Sequence, residues 1–460
     1  MIKESFRKYL EEAIGCDNAA IAFSAFEKPA SVSLRLNPFK AGGPEAGRTV
    51  GWSPWGRMLE ERPVFTLDPL FHAGAYYVQD SSSMFVGHVF RQMLAGPMSE
   101  RLEAIRRARP VRVLDLCAAP GGKTTDLAAS LRECFGDDFI LVSNEVMKQR
   151  VGILADNVAL WGDPNVVVTS DDPSAFGSLP GFFDLVVTDV PCSGEGMFRK
   201  DEEAQAQWSE DNVALCASRQ RRILADVWPS LAEGGMLIYS TCTFNRLEND
   251  ENVLWIADEL GGECLNGNID TDAFPGIIRT DCGFSLVPGF VEGEGQYCAV
   301  VRKTSAVRIA DAGRTARQTR PASVPQMPSG LFIREMTYRM RGERIIAVPA
   351  NLMADLQILE QYLHVIAAGC AAGVFKGKTF VPDADLALSV YLAPDAFPSV
   401  EVDRQTALAF LHKDSISLPG EEKGYMIIRH AGLALGFVKN IGNRCNNLHP
   451  QSRRIRINIY

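Results

Sequence analysis

Two cysteines stand where thiol chemistry is plausible. Cys192 follows TDVP and Cys242 follows YST, each at the carboxyl end of an apolar run, FFDLVVTDV (182–190) and GMLIYST (235–241). A thiol attacks as its thiolate, and that form needs an electropositive or hydrogen-bonding setting to bring its pKa below about 8.5. One reaction that requires such a group is methylation at C5 of cytosine, a carbon not nucleophilic enough to take a methyl group directly. A thiolate adding at C6 makes C5 electron-rich, so one difficult step becomes two easier ones. Asp189, three residues before Cys192, could bond N3 and the exocyclic amine and draw electrons into the ring. A lone cysteine at a strand end is more often a small buried hydrophobe. Spacing alone leaves open which of the two would attack.

A second constellation is built for a ligand. The run VRVLDL (111–116) leads into Cys117, Ala118, Ala119, Pro120, Gly121, Gly122 and Lys123, then a helical pattern. A strand–turn–helix aims backbone N–H groups and a helix N-terminus at what it binds. Gly121 and Gly122 lack a Cβ, which allows close approach. The loop is not GxGxxG, so a dinucleotide is a poor fit. Glu145 follows the next apolar run, where a carboxylate grips ribose hydroxyls in such folds. Asp172, beside Asp171, follows the third run and could reach an adenine amino group; as helix caps, both acids would be merely structural.

The elements that must position these residues are short apolar runs alternating with helix-length stretches: VRVLDL, FILVSN (139–144), NVVVTS (165–170), FFDLVVTDV and GMLIYST. This pattern predicts βα units in a doubly wound, mostly parallel α/β sheet buried on both faces, with ligands outside the carboxyl ends of the strands. Both cysteines then face one crevice. The expected organisation is a small N-terminal α/β domain over 1–95, the α/β core over 96–303, a linker over 304–329 and a C-terminal region over 330–460. The linker is rich in Ala, Arg, Ser, Thr and Pro and has little hydrophobic period.

At 460 residues, with 46% hydrophobic and 22% charged, the chain can bury several cores. No run approaches the ~18 apolar residues of a membrane span, and MIKESFRKYLEEAIG reads as an amphipathic helix, so a cytoplasmic protein is expected. The eleven cysteines include no CxxC pair and should be reduced, and the six histidines lack ligand spacing, so no metal is expected. The net charge of −9 does not favour nucleic acid, but screening within about 8–10 Å makes local patches decisive. No acid follows Glu422, whereas Lys423, Arg429, Lys439, Arg444, Arg453, Arg454 and Arg456 do; Arg101, Arg106, Arg107, Arg109 and Arg112 form a second cluster.

Several separated motifs resemble one family. CAAPGGKTTDLA (117–128), DVPCSGEGMFRKDEEA (189–204), ASRQRRIL (217–224) and GGMLIYSTCTF (234–244) are similar to successive motifs of the Sun-type RNA cytosine-C5 methyltransferases. SLRLNP (33–38), GAYYVQDSSSM (74–84) and GLALGFVKNIGNRCNNLHP (432–450) extend the likeness over most of the chain, toward the bacterial branch acting on small-subunit ribosomal RNA. The resemblance implies a Rossmann-like methyltransferase domain, a C-terminal PUA-like RNA-binding part, S-adenosylmethionine as cofactor and RNA, 16S rRNA foremost, as partner to a monomer. It implies Cys242 as nucleophile, Cys192 as the group assisting release, and Cys117 to Lys123, Glu145, Asp172 and Asp189 as cofactor contacts. Many relatives carry Pro-His where this chain has Pro288-Gly289-Phe290, which puts any histidine role there in doubt. A target base must leave its stack to meet a thiolate. Arg35, Asn37, Arg199, Lys200 and the acid-free tail are candidates for the flanking RNA; Tyr76 and Tyr77 could stack on bases but fit a core better. A DNA cytosine-C5 methyltransferase would attack with the Pro-Cys cysteine, Cys192, and the Ser-Thr-Cys-Thr motif argues against it. The substrate could also be a transfer RNA. A non-catalytic ribosome-assembly factor with this fold would need neither cysteine.

Overall fold

The computed structural model describes residues 3–40, 47–307 and 324–459, so most of the expected linker, 308–323, lies outside the described residues. Strands β1 (Val111–Asp115), β2 (Phe139–Asn144), β3 (Val166–Thr169), β4 (Phe183–Asp189) and β5 (Leu231–Thr241) run parallel, and β6 (Gln296–Lys303) is antiparallel to β5. Their order across the sheet is β6-β5-β4-β1-β2-β3, so the strand order reverses between β1 and β4. This is the doubly wound α/β fold expected from the apolar runs.

Alternate residues of each strand serve opposite faces. Val113, Leu141, Leu185 and Ile238 pack in one core with the helices Phe85–Ala95, Gly122–Phe135 and Lys148–Trp161. Their neighbours Leu114, Ile140, Val186 and Leu237 pack in another, with Glu210–Val227 and Asp250–Leu260. Burial on both sides explains why these strands read as continuous apolar runs rather than alternating ones.

At the N-terminus, Phe6, Leu10 and Ile14 recur at helical spacing and are buried, as the amphipathic pattern predicts. That helix and its partner, Cys16–Phe26, pack on Phe198, Trp208 and Phe244, which lie next to the two cysteine loops. A four-stranded antiparallel sheet follows, centred on Val32–Leu36.

The C-terminal part is woven into the rest. Helix Met353–Tyr362 places Leu356 and Leu359 in the second core, and strand Val365–Ala368 pairs antiparallel with β3, extending the large sheet. Two further four-stranded sheets lie beyond: one spans 336–382 and the other spans 399–447. The last of these shares a core with Leu34 and Tyr76 of the N-terminal sheet. Among the described residues no helix is long and apolar enough to cross a membrane, and no three His, Cys, Asp or Glu side chains group as metal ligands.

Candidate active site

Parallel pairing of β4 with β5 sets Asp189 opposite Ser240, and Val190 N–H donates to the Ser240 carbonyl at 3.1 Å. Cys192 and Cys242 therefore leave the sheet side by side. Their sulfurs are 3.1 Å apart, within S–H···S contact. That hydrogen bond, followed by burial, pushes the Cys192 thiol well above its ordinary value, so it is held protonated. A protonated Cys192 can donate to the Cys242 sulfur and stabilise a thiolate there.

Asp189 is fixed from three sides. Lys123 Nζ donates to its Oδ2 at 2.8 Å and to Ser83 Oγ at 2.9 Å; Ser240 Oγ and, at 3.3 Å, Gln296 Nε2 donate to its Oδ1. Burial by itself would lower the Lys123 pKa. Asp189, and to a smaller extent Asp115 and Cys242, outweigh it and keep the ammonium charged. Lys123 thus turns to Asp189, a partner its place in the loop motif does not disclose.

The loop from Cys117 to Gly122 turns at the carboxyl end of β1 into the helix Gly122–Phe135. Gly121 has φ 111°, a left-handed conformation that favours glycine. Asn157 Nδ2 and the Arg150 guanidinium bond the carbonyls of Pro120 and Ala119 from the next helix, fixing the outer side of the turn. Cys117 is pushed up to about 12 by burial, so it is inert. Glu145 ends the β2 segment nearly buried, accepting from Met147 N–H at 2.8 Å. Asp172 caps a short 3-10 turn, accepting from Ser174, and pairs with Arg222. Asp171 instead accepts from His364 N–H at 2.9 Å, which leaves Asp172 the more open of the two.

Asp115, fully buried at the end of β1, accepts from Thr124 at 2.6 Å through Oδ2, while its Oδ1 has no partner among the described residues. Burial, with Asp189 and Glu145 adding repulsion, pushes this carboxyl up to about 7. Because its folded pKa is raised, the stability it contributes is full below about pH 4 and is lost as pH rises through about 7. Asp115→Asn cannot ionise. Its stability relative to the native chain is therefore expected to climb between about pH 4 and pH 7 and to level off above, as read by paired thermal melts. A gap independent of pH would mean that Asp115 does not titrate in this range.

The two cysteine loops are cross-linked by residues whose motifs gave no hint of it. Glu195, fully buried, accepts from the N–H groups of Phe244 at 2.7 Å and Asn245 at 3.1 Å and from Trp208 Nε1 at 2.9 Å. Glu248, also fully buried, accepts from Ser193 N–H, Gln220 Nε2 and Asn245 Nδ2. Burial and the nearby Glu195 push Glu248 up to about 7. Gly196 N–H donates to the Cys242 carbonyl at 2.7 Å, and a Cβ at Gly196 would meet that oxygen at 2.7 Å. The signal was present as acids inside SGEG and FNRLEN, but nothing local distinguishes them from surface acids.

Several expected RNA contacts are internal instead. Arg35 and Asn37 are buried: Arg35 bonds Gln79, Thr125 and the Gly122 carbonyl, and Asn37 bonds the Gly74 and Trp161 carbonyls. Arg199 is half-buried and paired with Glu294 at 2.7 Å, whereas Lys200 pairs with Asp80 at 3.1 Å but stays exposed. Tyr76 is core, donating to Asp68, and Tyr77 lies against Gly122. Of the second arginine cluster, Arg109 and Arg112 are paired with Asp184 and Asp355 at the opposite end of β1 from the cysteines. In the tail, Arg453 is paired with Asp156 and Asp385, whereas Lys423, Arg444 and Arg456 are exposed. Phe290, in the Pro288-Gly289-Phe290 run, packs against the N-terminal helices.

Three family models match the chain: the N-terminal domain of 16S rRNA methyltransferase RsmF over residues 2–81, 16S rRNA methyltransferase RsmB/F over 106–263, and the methyltransferase RsmF PUA domain over 397–455. Two solved structures from Pyrococcus horikoshii share the fold. A methyltransferase homologue protein has TM-score 0.51 and 24% identity, covering 65% of this chain and 95% of that one. NSun6, solved with SFG, has TM-score 0.52 and 17% identity, covering 66% and 98%. Fold and site together define a Rossmann-like methyltransferase with a C-terminal PUA domain.

Relatives bearing the name ribosomal RNA small subunit methyltransferase F narrow this further. The one from Serratia proteamaculans is 31% identical over 82% of this chain and 78% of its own length; that from Enterobacter sp. is 28% identical over 97% and 95%. The match to the Pectobacterium atrosepticum relative, 34% identical, spans 62% of this chain and 59% of that protein. The chain belongs to the ribosomal RNA small subunit methyltransferase F family.

Proposed function

We propose that this protein methylates C5 of a cytosine in 16S ribosomal RNA of the small subunit, in the cytoplasm and as a monomer, with S-adenosylmethionine as methyl donor. The observation that carries the reading is the pair of sulfurs 3.1 Å apart beside an aspartate held by a half-buried lysine. The names of its relatives support the substrate.

The residues present fit the cofactor. Glu145 and Asp189 lie close enough to Asp115 to disfavour its charge, and one buried oxygen of Asp115 is unpartnered among the described residues. Such a convergence of carboxylates suits a cationic ligand. Residues Cys117 to Lys123 would cradle it, Glu145 would take the ribose hydroxyls, and Asp172 and Asp189 would complete the contacts. When bound, S-adenosylmethionine supplies an electrophilic methyl group on a sulfonium, which C5 accepts once C6 is substituted.

The chain's own groups do the rest. Cys242 adds to C6 as the thiolate, stabilised by the Cys192 S–H and the Lys123 ammonium. Asp189 accepts from the exocyclic amino group and shares with N3 a proton that stabilises the charge displaced into the ring as the C–S bond forms and is withdrawn when that bond breaks. After transfer the C5 proton leaves to a base, its electron pair restores the C5–C6 double bond, and the C6–S bond breaks to return the Cys242 thiolate. Cys192, in contact with that sulfur, assists the release. Outside the site, the exposed Lys423, Arg444 and Arg456 offer charge to RNA backbone.

The test is transfer of labelled methyl groups from S-adenosylmethionine to small subunits purified from cells lacking the protein. Label in 5-methylcytosine of 16S RNA is expected. Label on another base, or on no RNA supplied, counts against the reading.

A further inference from the structure

We propose that Glu248 is a positioning residue for Cys192: its carboxylate ties the backbone beside Cys192 to the turn after Cys242 and keeps the two thiols in contact. The inference rests on the reaction proposed above and assigns to this residue the release step rather than the attack.

The geometry separates Glu248 from an ordinary buried acid. One oxygen, Oε2, accepts from Ser193 N–H at 3.0 Å, directly after Cys192, and from Gln220 Nε2 at 2.7 Å. The same Gln220 amide donates to the Pro191 carbonyl at 3.0 Å, directly before Cys192. The peptide groups on both sides of Cys192 are therefore gripped by one carboxylate–amide unit. The other oxygen, Oε1, accepts from Asn245 Nδ2 at 2.8 Å, and Glu248 N–H donates back to Asn245 Oδ1 at 2.9 Å. Asn245 stands three residues after Cys242, and its Nδ2 also donates to Thr243 Oγ1 at 3.0 Å. Ser193 and Thr243, the residues after the two cysteines, bond to each other at 3.0 Å within this clamp.

Ser193, Gln220 and Asn245 each offer this carboxylate an N–H donor. A carboxylate has acceptor sites for all of them, whereas a glutamine offers one oxygen and turns an NH2 group toward a donor. Gln in this position must break one grip, and the Ser193 or the Asn245 side would move. Whichever side moves, the Glu248 tie between the Cys192 backbone and the turn after Cys242 is lost, while Glu195 still holds that turn through Phe244 and Asn245.

The experiment uses the full chain, small ribosomal subunits and labelled S-adenosylmethionine under single-turnover conditions, with Cys192→Ala as reference. Adduct on denaturing gels and free methylated RNA are followed in time. For Glu248→Gln, adduct formation is expected to change little, while release slows by about tenfold or more, because small displacements at a reacting group cost rates of that order. Glu248→Asp, which keeps both oxygens, is expected to fall between Gln and the native chain. Formation and release falling together, or no excess adduct where Cys192→Ala traps one, overturns the proposal. If the Gln variant does not fold, the Asp variant decides by the same criterion of selective release. Absence of any adduct in Cys192→Ala would count against the covalent reading itself, which keeps the two failures distinguishable.

Discussion

Replacing Cys242 with alanine is expected to abolish methyl transfer. The expected loss is at least about 10³-fold, the scale on which removing a group that acts covalently as part of a unit is felt. Cys192 cannot take over, because its thiol is raised well above its ordinary value by the hydrogen bond to Cys242 and by burial. Without Cys242 that bond is gone, but the burial and the nearby Glu248 and Asp189 charges remain. Cys216 and Cys117, pushed up to about 11 and about 12 by burial, are no better. The measurement is labelled transfer to small subunits, accompanied by cofactor binding to show that the fold is intact. Retained transfer in the variant would reassign the attack to Cys192.

Replacing Cys192 with alanine is expected to stop the reaction at the opposite end. Cys242 still attacks, since Lys123 and Asp189 remain paired beside it. The departing sulfur then lacks its S–H neighbour at 3.1 Å. A protein–RNA adduct should accumulate to roughly one per enzyme and survive denaturing gels, while steady-state turnover falls by about 10²-fold or more, in the range of a lost proton-transfer partner. Adding Cys242→Ala to the same chain should remove the adduct. Normal turnover with no adduct would remove Cys192 from the release step.

How far the sequence could carry these conclusions depends on where each interaction is made. β1 to β5 were legible because strands buried on both faces must be apolar throughout, and the rule that ligands gather outside their carboxyl ends put Asp189, Cys192 and Cys242 in one crevice. Polar residues were harder, because an arginine carries no mark of the partner that buries it. Arg35 looks like an RNA contact in SLRLNP, yet its partners Gln79 and Thr125 are 44 and 90 residues away. Lys123 reads as part of a cofactor loop and turns to Asp189, 66 residues on. Glu195 and Glu248 draw donors from the opposite cysteine loop, 49 residues from Glu195 at Phe244 and 55 from Glu248 at Ser193. The helix spacing of Phe6, Leu10 and Ile14 was visible, but not that Trp208 and Phe244 are what it covers.

The strand Val365–Ala368 lies against β3 although nearly 200 residues separate them along the chain. During synthesis, β3 emerges long before its outer neighbour exists. Until residue 368 has left the ribosome, the N–H and C=O groups on that side of β3 face water, an arrangement prone to pair with other chains. Completion of the large sheet therefore has to wait for the C-terminal part. A chain that stops before residue 365 would leave the outer side of β3 open to pairing with other chains.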